Sequence, residues 1–365
     1  MLNYSNRSTR INCYFIVLSL LTVITGGCQT RSRPRLRISD FFGNPWGMRY
    51  ADPNDLGNHC LDYCRSEKLG LVYTCRAGFI DLGHVREAAD RTHYLAQLTY
   101  EHLMQAETDF SYRVTEPSRY LIALGYPDYW KDLPRERKES RAREISIQLG
   151  QYLAHTSLIW HEILTWYGFS SMGPFPEKIS AFSCEDPYSD VLGTHLAASV
   201  LSNPRCFYKE TAFEESMTAI IDETLKQLEV QPPETAKQAV EKIKGDWYVG
   251  GYYFFVEMKK RNLDVGLDDG IVFPCRVDDM CPDTPAQDCP APNFGFLDDY
   301  DFKIRVRLKP VEFEKGRIYN TLGLKGSDRI TPYIHFPMLL ESIRKQVQEF
   351  WESGPLEQNK GIKTE

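Results

Sequence analysis

Two proline-free stretches, Leu82–Gln105 and Arg141–Tyr167, hold apolar residues at helical spacing and dominate what this chain can become. Helices that long need a large partner for their apolar faces. The expected fold is therefore α+β and mostly helical, one domain with the two long helices packed together and a small antiparallel sheet. Asp81 is placed to cap the first helix, and Gly168 to end the second. On the first helix, His84 shares a face with Ala88, Arg91, Leu95, Leu98 and His102; on the second, Glu162 shares one with Gln151, His155, Leu158, Thr165 and Trp166. A polar run, Lys131–Arg143, reads as a solvated helix start. Shorter helices are expected over Asn58–Lys68, from Asp186 to about Leu201, and over Phe213–Leu228, Glu234–Ile243 and Pro337–Trp351. Strands are expected at Leu71–Cys75, Tyr112–Tyr126, Tyr248–Met258 and Lys303–Phe313. With 42% apolar residues, the core is ample, and no internal repeat or interrupting linker divides the domain.

The amino terminus sets the compartment. Arg7 and Arg10 precede an apolar run, Cys13–Ile24, that ends in Thr25-Gly26-Gly27-Cys28. Such a run covers about 18 Å as a helix, short of the roughly 30 Å hydrocarbon core, so it reads as a secretion signal. The residues around Cys28 resemble the lipobox of bacterial lipoproteins, with Thr25 where Leu or Val is usual; Gln29 favours outer-membrane sorting. The expected organisation is a signal peptide at 1–28, a tether at 29–48, a globular domain at 49–352 and a disordered tail at 353–365. Location would be the bacterial cell envelope, facing the periplasm, with Cys28 as lipid anchor. Arg31, Arg33, Arg35 and Arg37 form a basic tether suited to anionic headgroups. Acids outnumber bases, 50 to 43, and cleavage would remove two bases, so nucleic acid is not an expected partner.

Export shapes the cysteine chemistry. Beyond Cys13 and Cys28 there are eight cysteines, Cys60, Cys64, Cys75, Cys184, Cys206, Cys275, Cys281 and Cys289. An even count outside the cytoplasm predicts up to four disulfides with connectivity left open, ahead of the zinc spacings that Cys60/Cys64 and Cys275/Cys281/Cys289 also resemble.

Ionisable groups concentrate in three segments, Gly78–Arg86, His161–Gly168 and Ser180–Gly193. Together these motifs resemble a family of bacterial secreted proteins known as a domain of unknown function, over about Arg49–Phe350. That resemblance implies membership and no activity. His161-Glu162 is half of the zincin motif, but Thr165 stands where the second imidazole would be. A zinc site is therefore expected from His161, His84 and Glu185, with Glu162 as general base and Asp81, Arg86 and Asp190 as binding residues. The structural readings beside it are a core histidine, a helix cap at Asp186 and an ion pair of Glu162 with Arg86 or Arg91. A Cys75/His84 hydrolase would need a free thiol, and no Gly-x-Ser-x-Gly elbow or phosphate loop occurs. Asp264-x3-Asp268-Asp269-Gly270 lacks the ligand spacing of a calcium loop. The functional expectation is a metal-dependent envelope hydrolase. The alternative is a non-enzymatic binding or scaffold lipoprotein that shows aromatic segments such as Asp40–Trp46 and Tyr126–Trp130 to a cell-wall or envelope partner.

Overall fold

Antiparallel strands β1 (Leu71–Thr74) and β2 (Gly78–Asp81) lead directly into helix α1 (Leu82–Gln105) in the computed structural model. The structure describes residues 32–37, 48–170, 177–250, 256–326 and 328–352. The signal with Cys28, the aromatic segment 40–46, the tail 353–365 and all of the tether but residues 32–37 and 48 lie outside them. Among the described residues no helix is long and apolar enough to cross a membrane.

Gly78 opens β2 at φ 65°, where an added Cβ would lie 1.9 Å from the Cys275 carbonyl oxygen, so only glycine fits. Asp81 caps α1 by accepting from the Gly83 amide at 2.8 Å. Strands β3 (Asp109–Tyr112) and β4 (Arg119–Gly125) follow as separate elements, where one strand had been expected. The chain bends between them because Glu116 turns inward to Arg91 and His161. Helix α2 (Arg135–Tyr167) begins six residues before Arg141, taking up most of the polar run. Then come α3 (Asp186–Ser202), α4 (Pro204–Tyr208), α5 (Glu210–Gln227) and α6 (Pro233–Ile243). Two short antiparallel pairs join β5 (Tyr248–Val249) to β6 (Glu257–Met258) and β7 (Ile271–Val272) to β8 (Cys289–Pro290). Strand β9 (Lys303–Lys309) completes a sheet of order β3-β4-β9, before α7 (Lys315–Leu322) and α8 (Pro332–Glu352). Helix α8 starts ahead of Pro337 and carries it at a point where the Tyr333 carbonyl it leaves unbonded belongs to a 58% exposed residue.

Close helix contacts fix the site. A Cβ on Gly150 of α2 would stand 2.6 Å from the Ala96 amide, and one on Gly193 of α3 would stand 2.2 Å from the Val85 carbonyl. Both helices therefore press on α1 at backbone distance. The main core lies between α1, α2, the three-stranded sheet and α8, with Trp130, Trp160 and Tyr120 fully buried. A second core joins the other side of α1 to α3 and α5.

Asn58–Lys68 forms no helix. The backbone amides of His59 and Leu61 are bonded instead by side chains of Thr218 and Glu214, and a Cys60–Cys64 disulfide ties the loop. Cys75–Cys281 and Cys184–Cys275 are also paired, so the 273–293 loop is held twice. Cys206 and Cys289 are free and buried, so three disulfides form within the expected limit of up to four. Each sits in its own element, α4 or β8, and packs as a small apolar side chain.

Candidate functional site

The first turns of α1 and α3 meet because Gly193 lets α3 lie against the backbone of α1. His84 thereby places Nδ1 3.1 Å from Asp186 Oδ1 and 3.4 Å from Asp81 Oδ2. Asp186 is the first residue of α3 and turns its other oxygen back to the Ser183 amide at 2.7 Å. Glu185 accepts from the Ser183 hydroxyl at 2.9 Å, and Asp190 lies one turn farther along. Burial alone would lower the His84 pKa, but Asp186, Asp190 and Asp81 outweigh it and hold the imidazole well above its ordinary value.

Glu162 approaches from the last turns of α2. Its carboxylate accepts from the Phe182 amide at 2.6 Å, and Phe182 adopts φ 55°. A buried aromatic residue in the left-handed region costs on the order of 1–3 kcal/mol, and such strain gathers at functional sites. Burial and the charge of Asp186 push the Glu162 carboxyl up to about 7, against the opposing pull of His161, His84 and the Phe182 amide. Asp190 and Glu185 are likewise driven well above the carboxylate range, first by burial. Glu162 feels both histidines.

His161 turns Nδ1 to Glu116 at 2.8 Å, and Glu116 is gripped in turn by Arg91 at 2.9 Å. Burial would lower the His161 pKa; the Glu116 bond and charge, with Glu162 added, lift it to about 9. The two imidazoles are the open part of the site, with 15% and 20% of their side chains exposed, while Asp81 and Asp186 lie behind at 0% and 2%. No described residue bonds Nε2 of either ring. A carboxylate on Nδ1 with Nε2 left open is the arrangement that orients a histidine for metal binding or proton transfer.

Among the described residues no group of three or more His, Cys, Asp or Glu side chains is placed to hold a metal ion. His84, His161 and Glu185 thus do not make a cage: Glu185 bends back to Ser183, and the two imidazoles face different carboxylates. Asp81 and Asp190 belong to the His84 cluster. Arg86 lies elsewhere, donating to the Leu56 carbonyl at 2.7 Å, and its charge neighbours are Glu67, Asp90, Arg37 and Arg35. Asp186, read from sequence as a helix cap, instead pairs with His84. Glu116 and Arg261 carried no sequence signal. Arg261 donates to the Ile179 and Ala181 carbonyls and feels the charges of Asp186 and Glu162.

No curated protein and no solved structure matches the chain. Residues 49–251, more than half of the chain, match one family model, and that span contains all of this cluster except Arg261. The chain belongs to the family described as Protein of unknown function (DUF4056).

Proposed function

We propose that the chain is an exported hydrolase in which Glu162, beside two imidazolium side chains, takes a proton from water and returns it. One observation carries this reading: buried Glu162 feels the charges of both His84 and His161, and each imidazole has a carboxylate oxygen near Nδ1, at 3.1 Å and 2.8 Å, with Nε2 open. Near neutral pH a carboxyl at about 7 is divided between its two forms, so it can take a proton from water and return it. The imidazolium N–H groups at Nε2 then stand ready to stabilise an oxyanion or protonate a leaving group. Three disulfides and the short apolar leader support an envelope location with Cys28 lipidated, which mass spectrometry of the mature chain would test.

The experiment is Glu162→Gln in the mature protein, assayed on chromogenic ester, amide and phosphoester probes. The amide keeps the shape and loses the basicity. Turnover should fall roughly 10²- to 10⁴-fold, and the wild-type profile should rise near pH 7 and decline near pH 9. Full activity in the folded variant would overturn the reading. Chelation and metal analysis of the same sample show whether a metal takes part.

A further inference from the structure

We propose that Lys178, Arg261 and Arg317 form an anion subsite beside Glu162 that receives a phosphate-like dianion of the substrate. This rests on the hydrolase reading for the word substrate, while the binding itself stands apart from it. The three cations gather at the end of α2. Lys178 Nζ lies 4.2 Å from the centre of the Trp166 ring, the Arg261 guanidinium carbon 5.4 Å from it, and Arg317 donates to the Tyr167 carbonyl at 3.2 Å.

Lys178 and Arg317 lie without an acidic partner among the described residues, and Arg261 feels the charges of Asp186 and Glu162 from beyond ion-pair distance. Elsewhere on the surface Lys260 pairs with Asp246, Arg344 with Glu341 and Lys226 with Asp222. Among the described residues none of the trio has a carboxylate within ion-pair distance. Their mutual repulsion adds to burial in lowering the Lys178 pKa, and a bound dianion would relieve it. The dipole at the end of α2 and the Tyr167 carbonyl account for Arg317. Lys178 donates to no described carbonyl and rests on the Trp166 ring.

Position ties the trio to the chemistry. Arg261 holds the Ile179 and Ala181 carbonyls, the second of them next to Phe182, whose amide bonds Glu162. The same arginine lines a groove of about 570 Å³ shared with Lys259, Lys260, Arg344 and Trp247. Arg261 is thus the member of the trio that joins the groove, which Asp264 and Asp268 also line, to the segment bonded to Glu162.

The test is calorimetric titration of the mature protein with inorganic phosphate at low ionic strength, with acetate for comparison. Phosphate should bind saturably and more tightly than acetate, and added salt should weaken it. Lys178→Gln and Arg317→Gln should each weaken it about tenfold, the loss of one charge-assisted hydrogen bond, while Glu162→Gln should retain it. No saturable binding, or unchanged affinity in the double variant, overturns the subsite whatever Glu162→Gln does to turnover. Conversely, intact phosphate binding beside a fully active Glu162→Gln variant would leave the subsite and remove the hydrolase. Phosphatidic acid vesicles supply the second arm. Binding lost in the same two variants assigns a lipid phosphate, and binding of inorganic phosphate alone assigns a soluble phosphoester.

Discussion

Helix α1 carries two buried charge clusters a few residues apart, and they behave in opposite ways. In the first, Asp90 meets Arg37 at 2.6 Å and His59 at 3.1 Å, Glu67 meets Arg37 at 3.0 Å and also Arg35, and Arg91 bridges Glu87 and Glu116. Burial would raise these carboxyls, but the cations beside Asp90, Glu67 and Glu116 hold all three below the ordinary range. In the second, the acids Asp81, Glu162, Glu185, Asp186 and Asp190 outnumber the nearby His84, His161 and Arg261, with Arg91 adding a lesser pull on Asp190. Burial then wins, and Glu162, Glu185 and Asp190 rise. Equal burial thus gives fixed charge where cations match acids, and exchangeable protons where they do not.

The largest expected effect breaks the balanced cluster. Arg91→Ala strands the buried carboxylates of Glu87 and Glu116, and removing one partner of such a set typically costs about 3–5 kcal/mol. Urea unfolding should show that loss. A cost under about 1 kcal/mol, the range of an exposed pair, would mean that the first cluster is no more structural than the second. Because Glu116 also orients His161, the variant should lose activity even where it remains folded.

Sequence reading reached the parts of this contrast that are local. The bounds of α1 follow from one cap and one period, and Asp81 does bond the Gly83 amide. Convergence of the three motif segments was legible in outline, since each carries acids or histidines beside a helix end. What could not be read were partners set by tertiary approach. Glu116 lies in a bend 45 residues from His161, and nothing in its neighbours marks it as buried. Asp186 fits the pattern of a cap, yet the approach at Gly193 turns it to His84. Cysteine parity gave the upper bound of four disulfides, of which three form; a count carries no distances, and Cys206 and Cys289 occupy separate elements.

The smaller effect concerns proton uptake and sharpens the comparison from the other side. Glu162 has a folded pKa of about 7, above its unfolded value near 4.5. Across that window the folded state holds more proton than the unfolded chain, so stability falls as pH rises from 4.5 to 7. His161 works in the same direction at higher pH: its stabilising charge is complete below about 6.5 and is lost as pH climbs through about 9. Glu162→Gln should therefore flatten the first decline and move the second to somewhat lower pH, because Glu162 helps raise His161, and at pH 8 it should stabilise the fold by on the order of 1–3 kcal/mol. The Phe182 amide keeps an acceptor in the Gln oxygen, so no backbone bond is lost. Thermal unfolding between pH 4.5 and 9 reads both limbs. A variant that loses stability at pH 8 would show that Glu162 is held as a charge, like Asp90, and the two clusters would then be one kind.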